Sequence, residues 1–303
     1  SDGSHVAIGA RNNDGNGSNS GHVRIYSLVG GAWSQVGSDI DGEAANDNSG
    51  YSVSIDSDGS HVAIGANYND GNGSNAGHVR IYSWDGSSWN QVGSDIDGEA
   101  AYDQSGYSVS IDSDGSHVAI GAIYNDGNGS SSGHVRIYSW DGSAWAQVGN
   151  DIDGEATWDN FGHSVSIDSD GSHVAIGARN NDGNGSYSGH VRIYEYSSGS
   201  WSQVGSDIDG EAADDQSGTS VSIDSDGSHV AIGADENDGA GSDSGHVRVL
   251  GPYGVTGCSP DGLNATSLTT SGATTAGSLT VDSVVIDGTT IGHSSDSDLM
   301  TLA

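Results

Sequence analysis

His5, His61, His117, His173 and His229 stand 56 residues apart, each opening the run HVAIGA behind the turn DGS. The interval holds four times without an insertion or a deletion. A fixed period of this length is one supersecondary unit copied in tandem, so the chain folds as an array or a closed ring of small units. The repetition also narrows function. Chemistry that needs one special residue is hard to place where nearly every residue has four siblings.

The composition says what such a unit is made of. Fifty of the 303 residues are Gly, only 2 are Pro, and hydrophobic residues make up 33%. A thick leucine-rich core is out of reach, but many short strands joined by glycine turns are not. The apolar residues inside the repeats are mostly Val, Ile, Ala, Trp and Tyr, which suit a pleated surface. No helical periodicity is visible. In the copy at 51–106, Ser52-Val53-Ser54-Ile55 alternates polar and apolar as a strand does. Asp56 to Ser60 is a tight turn, and His61 to Ala66 is the second strand. Asn67 to Gly77 is a loop dense in Asn, Asp, Gly and Ser. His78 to Tyr82 is the third strand, Asp85-Gly86 lies in a second hairpin flanked by Trp84 and Trp89, and Trp89 to Gly93 is the fourth. Ser94 to Gly106 is a long acidic loop to the next copy.

Four short antiparallel strands per copy, about five times over, predict an all-β fold: a β-propeller of four-stranded antiparallel blades. A β-solenoid is the alternative, but two hairpins per copy turn the chain back on itself rather than coiling it forward. The second and third strands occur five times, the first and fourth only four. A five-bladed ring therefore has a seam, to be completed by residues 263 to 291 or by a neighbouring chain; an open arc of a larger array is the other solution. The expected organisation is propeller repeats over residues 1–250, a linker over 251–262 and a small β-rich C-terminal appendage over 263–303. Because the chain opens within a repeat, an upstream portion is expected to be missing. Residues 51–106 and 107–162 agree at 46 of 56 positions, so sameness between copies does not single out functional residues.

The repeat resembles the FG-GAP family of propeller repeats, also used by integrin α-subunit heads. Phe161-Gly162-His163-Ser164-Val165 carries the FG element, Ile176-Gly177-Ala178 the GA of GAP, and Gly189 to Tyr194 the strand that follows. The resemblance covers residues 1 to about 250 and implies a propeller. Two departures matter. The GAP proline is replaced by Arg, Asn, Ile or Asp. The family's calcium loop is shortened to Asp56-Ser57-Asp58-Gly59 and its copies, too short to wrap an ion that takes six to eight oxygens. That calcium site is not carried over. Residues 263–303 resemble low-complexity β segments of marine phage and viral tail fibres.

In a propeller, the loop between second and third strands shares a face with the loop between blades, and that face is then strongly acidic. Asp70-x-Asn72-x-Ser74 resembles the opening of a calcium loop, with copies at Asp14 and Asn16, Asp126 and Asn128, and Asp182 and Asn184. The fifth copy has Ala240 in place of Asn. With Asp97, Glu99 and Asp103 of the acidic loop, these are the expected metal ligands, and calcium is the one cofactor expected. The alternative is that Asp and Asn cap local backbone. The strand histidines read as packing residues, because His61 and His78 fall at opposite ends of their antiparallel strands and no Cys/His zinc spacing exists. Trp84 and Trp89 read as a cross-strand pair rather than a sugar platform. Asn16, Asn72, Asn128, Asn184 and Asn264 each open a glycosylation sequon.

The formal charge is −35, from 42 acidic and 7 basic residues, with no lysine. Nucleic acid and anionic membrane partners are disfavoured by long-range repulsion, and no apolar run is long enough to insert in a membrane. High salt suits such a chain, since the Debye length falls to roughly 3 Å at 1 M. Cys258, the single cysteine, can bridge only to another chain, so homo-oligomers are expected through Cys258 or residues 263–303. No nucleophile elbow and no distinguished carboxylate pair stands out. The expected function is accordingly non-enzymatic: an extracellular or virion-surface attachment or fibre module that binds a cell-surface glycan, a protein or copies of itself. A secreted microbial or algal adhesin is the second reading, and a glycan-cleaving enzyme on a propeller the third.

Overall fold

The computed structural model describes residues 3–251, together with the short paired strands Cys258–Ser259 and Gly262–Leu263. The chain divides into two units, Ser1–Thr256 and Gly257–Ala303. The expectations for residues 264–303, including seam closure and the fibre-like appendage, lie outside the described residues.

Five antiparallel sheets follow one another along the first unit as blades of a β-propeller. The second blade shows the pattern. Ser52–Ile55 pairs with His61–Ala66, which pairs with His78–Trp84, whose far side takes Trp89–Gln91. Register follows from alternation: Ile55 sits opposite Val62 and Val53 opposite Ile64, so the apolar side chains share faces. Innermost strands of successive blades pack side by side from Ser52–Ile55 to Ser220–Ile223. Among the described residues the first blade begins at His5–Gly9 without an innermost strand, and the fifth ends at His246–Leu250 without an outer one. Each of these end blades leaves apolar side chains uncovered, Ile8 on one and Val247 and Val249 on the other.

The outer edge differs from the sequence expectation. It is two short pieces rather than one strand: Trp89–Gln91 and then Ile96–Asp97, which returns to pair with His78 and Val79. The chain leaves the ladder at Gly93, whose φ of +75° has no side chain to pay a steric penalty. It comes back because Ile96, 5% exposed, is buried between blades. The loop expected over 94–106 thus begins with a strand.

The core lies between blades, not within them. Ala63, Val79, Ile81 and Ile96 of the second blade pack on Val109, Ile111, Val118 and Ile120 of the third, and analogous clusters join the other neighbours. Small β-branched residues suffice because each interface is only two sheet faces thick. Polar contacts reinforce it. Ser52 Oγ donates to the carbonyl of Gly106 and Ser54 Oγ accepts from the amide of Ile111, both one blade on. At the rim, Trp84 and Trp89 face each other with ring centroids 5.5 Å apart, and the Trp89 indole donates to the carbonyl of Val36 in the preceding blade. Trp145 makes the equivalent bond to Val92 at 2.8 Å. Replacing Trp145 with Phe keeps most of the ring and strands that carbonyl, so a loss of about 1–2 kcal/mol is expected in urea denaturation. No loss would mean that the bond is made equally well by water.

Candidate functional site

The loop after each second strand and the loop between blades lie together on one face, joined by a parallel bridge between Gly77 and Ser105. Asn72 makes the closest tie: its Nδ2 donates to the carbonyls of Gly98 at 2.8 Å and Glu99 at 3.4 Å. Asn16, Asn128 and Asn184 donate to Gly42, Gly154 and Gly210 in the same way. Asp70 accepts from the amide of Asn75 at 2.7 Å, and Asp14, Asp126 and Asp182 accept from Asn19, Ser131 and Tyr187. The Asp and Asn of each loop are therefore engaged with backbone, the Asp as acceptor and the Asn as donor. Asp103, 4% exposed, accepts from Asn125 Nδ2 at 2.9 Å across the blade interface. Burial raises its pKa above the ordinary carboxylate value. Asp97 uses its carbonyl to accept from Arg136.

Glu99 has a different setting, one the sequence did not indicate. It approaches His134 Nδ1 at 3.8 Å and Arg136 Nη1 at 3.3 Å, both in the next blade, and Asp151 also stands 3.8 Å from His134 Nδ1. Glu43, His78 and Asp95, with Arg80, repeat the cluster one blade earlier, and Glu155, His190 and Asp207, with Arg192, one blade later. His134 is 1% exposed and burial, aided by Arg136, pushes its pKa down to about 4, so the ring is neutral. One imidazole and two carboxylates whose donor atoms lie within 4.8 Å of one another form a donor set able to hold a divalent cation, although the arginine already neutralises part of its charge. Sequence reasoning missed the cluster because its members come from two blades.

A serine, a histidine and an aspartate also meet in every inner hairpin. His61 Nδ1 lies 2.9 Å from Asp56 Oδ2 and 3.0 Å from Ser60 Oγ. Both partners use the same nitrogen, so the ring cannot draw a proton from the serine while the aspartate holds its other side. The geometry is that of a turn lock. The Asp56 bond raises the His61 pKa, and Asp112 does the same for His117.

Where the copies differ is more telling than where they agree. At one copy position stand Tyr51, Tyr107, His163 and Thr219, each just before an innermost strand. At a second stand Arg11, Asn67, Ile123, Arg179 and Asp235, each just after a second strand. A third carries Asn46, Tyr102, Trp158 and Asp214, and a fourth Asn19, Asn75, Ser131, Tyr187 and Asp243. Antiparallel pairing and the loop ties bring all four positions to the same face. Tyr102 and Trp158 are 62% and 60% exposed, and Tyr187 is 49% exposed. All three hold left-handed backbone, with φ of 74°, 72° and 53°. Asn and Asp tolerate that conformation, whereas a bulky aromatic residue does so at a cost of roughly 1–2 kcal/mol.

No curated protein matches the chain at a significant level. Among solved structures, a protein described as a candidate 6-phosphogluconolactonase from Bacteroides uniformis matches with a TM-score of 0.55 at 13% identity, over 85% of this chain and 66% of that one. The periplasmic gluconolactonase of Pseudomonas aeruginosa matches with a TM-score of 0.52 at 17% identity, over 84% of this chain and 70% of that one. At such identities the likeness is one of fold. It nevertheless overturns the expectation that the chain is not an enzyme. Both neighbours are named as lactonases, so this architecture serves catalysis, and the lack of a recognisable catalytic constellation in the sequence excludes nothing. Residues 39–82, 95–138 and 151–194 each match the FG-GAP repeat, every match running from the outer edge of one blade to the third strand of the next. The chain is thus a five-bladed β-propeller that carries the FG-GAP repeat three times in succession.

Proposed function

We propose that the chain is an attachment module, displayed outside the cell or on a particle surface, whose loop face recognises cell-surface saccharides. The observation that supports this reading is the placement of Tyr102, Trp158 and Tyr187 in left-handed backbone with large exposure. The neighbouring copies have Asn or Asp at the same positions of Tyr102 and Trp158, so the fold has a cheaper residue available and these blades do not use it. Strain retained at exposed aromatic positions is a mark of function. A flat ring with little side-chain entropy to lose is suited to contact with a sugar. The acidic surface around it repels anionic membranes and nucleic acid and leaves neutral or weakly charged saccharides as partners.

A glycan array probed with the full chain and with Trp158→Asn tests the reading. The expected result is saccharide binding that falls at least about tenfold in the variant. The variant's stability should be unchanged or raised by up to about 1 kcal/mol, because Asn relieves the left-handed strain. Absence of saccharide binding, or a destabilised variant, would overturn it. The names of the two solved lactonases favour a second reading, hydrolysis of a sugar lactone. Proton release from gluconolactone above the spontaneous rate would establish that reading instead.

A further inference from the structure

Five of the seven arginines occupy one strand position, blade after blade, and each is held there. Arg24 pairs with Asp39, Arg80 with Asp95 and Arg192 with Asp207, while Arg136 reaches Glu99 and Arg248 the carbonyl of Asp209. The other two, Arg11 and Arg179, share a different copy position directly behind HVAIGA. Neither pairs with a carboxylate among the described residues.

Both lie in one row at the axial end of the loop face. The Arg11 guanidinium sits over the Tyr51 ring at 5.0 Å. Tyr51 and Tyr107 have centroids 4.9 Å apart, and Tyr107 and the imidazole of His163 are 5.2 Å apart. Arg179 is close enough to act electrostatically on both Tyr107 and His163. Two buried polar atoms in this row, Arg179 Nε and His163 Nδ1, have no hydrogen-bond partner among the described residues. Asp235, at the copy position of the two arginines, is the acid that acts on His163. In a chain of net charge −35, one short row therefore collects the two arginines that pair with no carboxylate among the described residues and three adjoining rings tilted by 45–48° to one another.

We propose that this axial row binds an acidic monosaccharide, with its carboxylate drawn to Arg11 and Arg179 and its ring against Tyr51 and Tyr107. The proposal rests on the reading of the loop face as a saccharide-binding surface and names the class of sugar. Guanidinium groups recognise carboxylates by charge-assisted hydrogen bonds, and tyrosine rings supply rigid apolar area beside them. The ligand's own charge is limited by the rest of the molecule. Repulsion from the acidic surface grows with each added negative charge, so a single carboxylate is admitted where a phosphate dianion or a polyanion is held off.

The test is calorimetric titration of the full chain at about 50 mM salt, well below the level that screens such charges, with methyl glucuronide and methyl glucoside as probes. The expected result is binding of the glucuronide at least about tenfold tighter than the glucoside. Arg11→Gln and Arg179→Gln should each weaken it about tenfold, and Asp235→Asn should strengthen it two- to fivefold. Arg11 is exposed, so its variant folds in any case. Equal affinity for the two sugars, or glucuronide binding untouched in both arginine variants, would overturn the proposal. Array binding that is lost in Trp158→Asn but kept in the arginine variants would overturn this site alone and leave the saccharide reading standing.

Discussion

Gly121→Val is expected to abolish the folded state, and Gly121→Ala to cost about 4 kcal/mol or more. A Cβ on Gly121 would stand 2.2 Å from the carbonyl oxygen of Gly162 and 2.4 Å from Ser108 Oγ. The oxygen belongs to the backbone of the next blade, so neither a rotamer change nor a small side-chain shift relieves the clash. Gly9 on Gly50, Gly65 on Gly106 and Gly177 on Gly218 show the same approach. The IGA glycine of one blade and the FG glycine of the next are a single contact seen from two sides. Overpacking usually costs 1–3 kcal/mol because surroundings yield, but here two main chains would have to separate and carry an inter-blade core with them. A two-state urea titration of Gly121→Ala measures the cost. A loss under about 1 kcal/mol would show that blades slide apart easily.

Stability is expected to peak near pH 6.5–7 and to fall on both sides. His134 and His163 are pushed down to about 4, first by burial and then by Arg136 and Arg179 respectively. Burial lowers His78 and His190 as well. Such a histidine takes its proton in the unfolded chain before the folded one, so each loses stability as the pH drops from about 6.5 towards 4. For the two with folded values of about 4 this amounts to about 3 kcal/mol each by pH 4. His61 and His117 act in the opposite sense. Their folded values are raised by Asp56 and Asp112, so their contribution is complete below about 6.5 and fades as the pH rises through the folded values. Below pH 4 a further loss follows from Asp39 and Asp207, held down to about 2 by Arg24 and Arg192. Urea midpoints between pH 4 and 8 in 0.5 M NaCl, which screens the net charge, check the profile. His163→Thr, the residue of the fifth blade at this position, should remove about 3 kcal/mol of the acid loss. A midpoint that does not move between pH 7 and 4 would refute the assignment.

Much of the blade was legible in advance because its pairings are local. Val53 faces Ile64 across a tight turn, and His61 to Ala66 reads as a strand from its own alternation and its flanking glycines. The outer edge was read less well. Ile96 is drawn back into the ladder by burial against the next blade, and nothing in Ser94 to Gly106 taken alone says so. The candidate site divides in the same way. Asp70 and Asn72 were visible as an oxygen-rich loop, but the direction of the Asn72 amide, donating to Gly98, depends on a loop that lies 26 residues further on. Trp84 and Trp89 were legible as a pair, whereas the bond from Trp89 to Val36 spans 53 residues and two blades.

The 56-residue period by itself determined the three inner strands of a blade, their order, a count of about five copies and the shared face of the two long loops. Each of these follows from backbone pairing inside one copy and from the identity of the copies. Only the tertiary structure decided how blades meet: glycine on glycine, histidine between carboxylates of two blades, and Arg11, Tyr51, Tyr107, His163 and Arg179 in one row. Near-identical copies look alike to pattern analysis at any separation, so sequence cannot say which copy's residue faces which. Packing breaks that degeneracy, because each inner strand has a definite neighbour on either side.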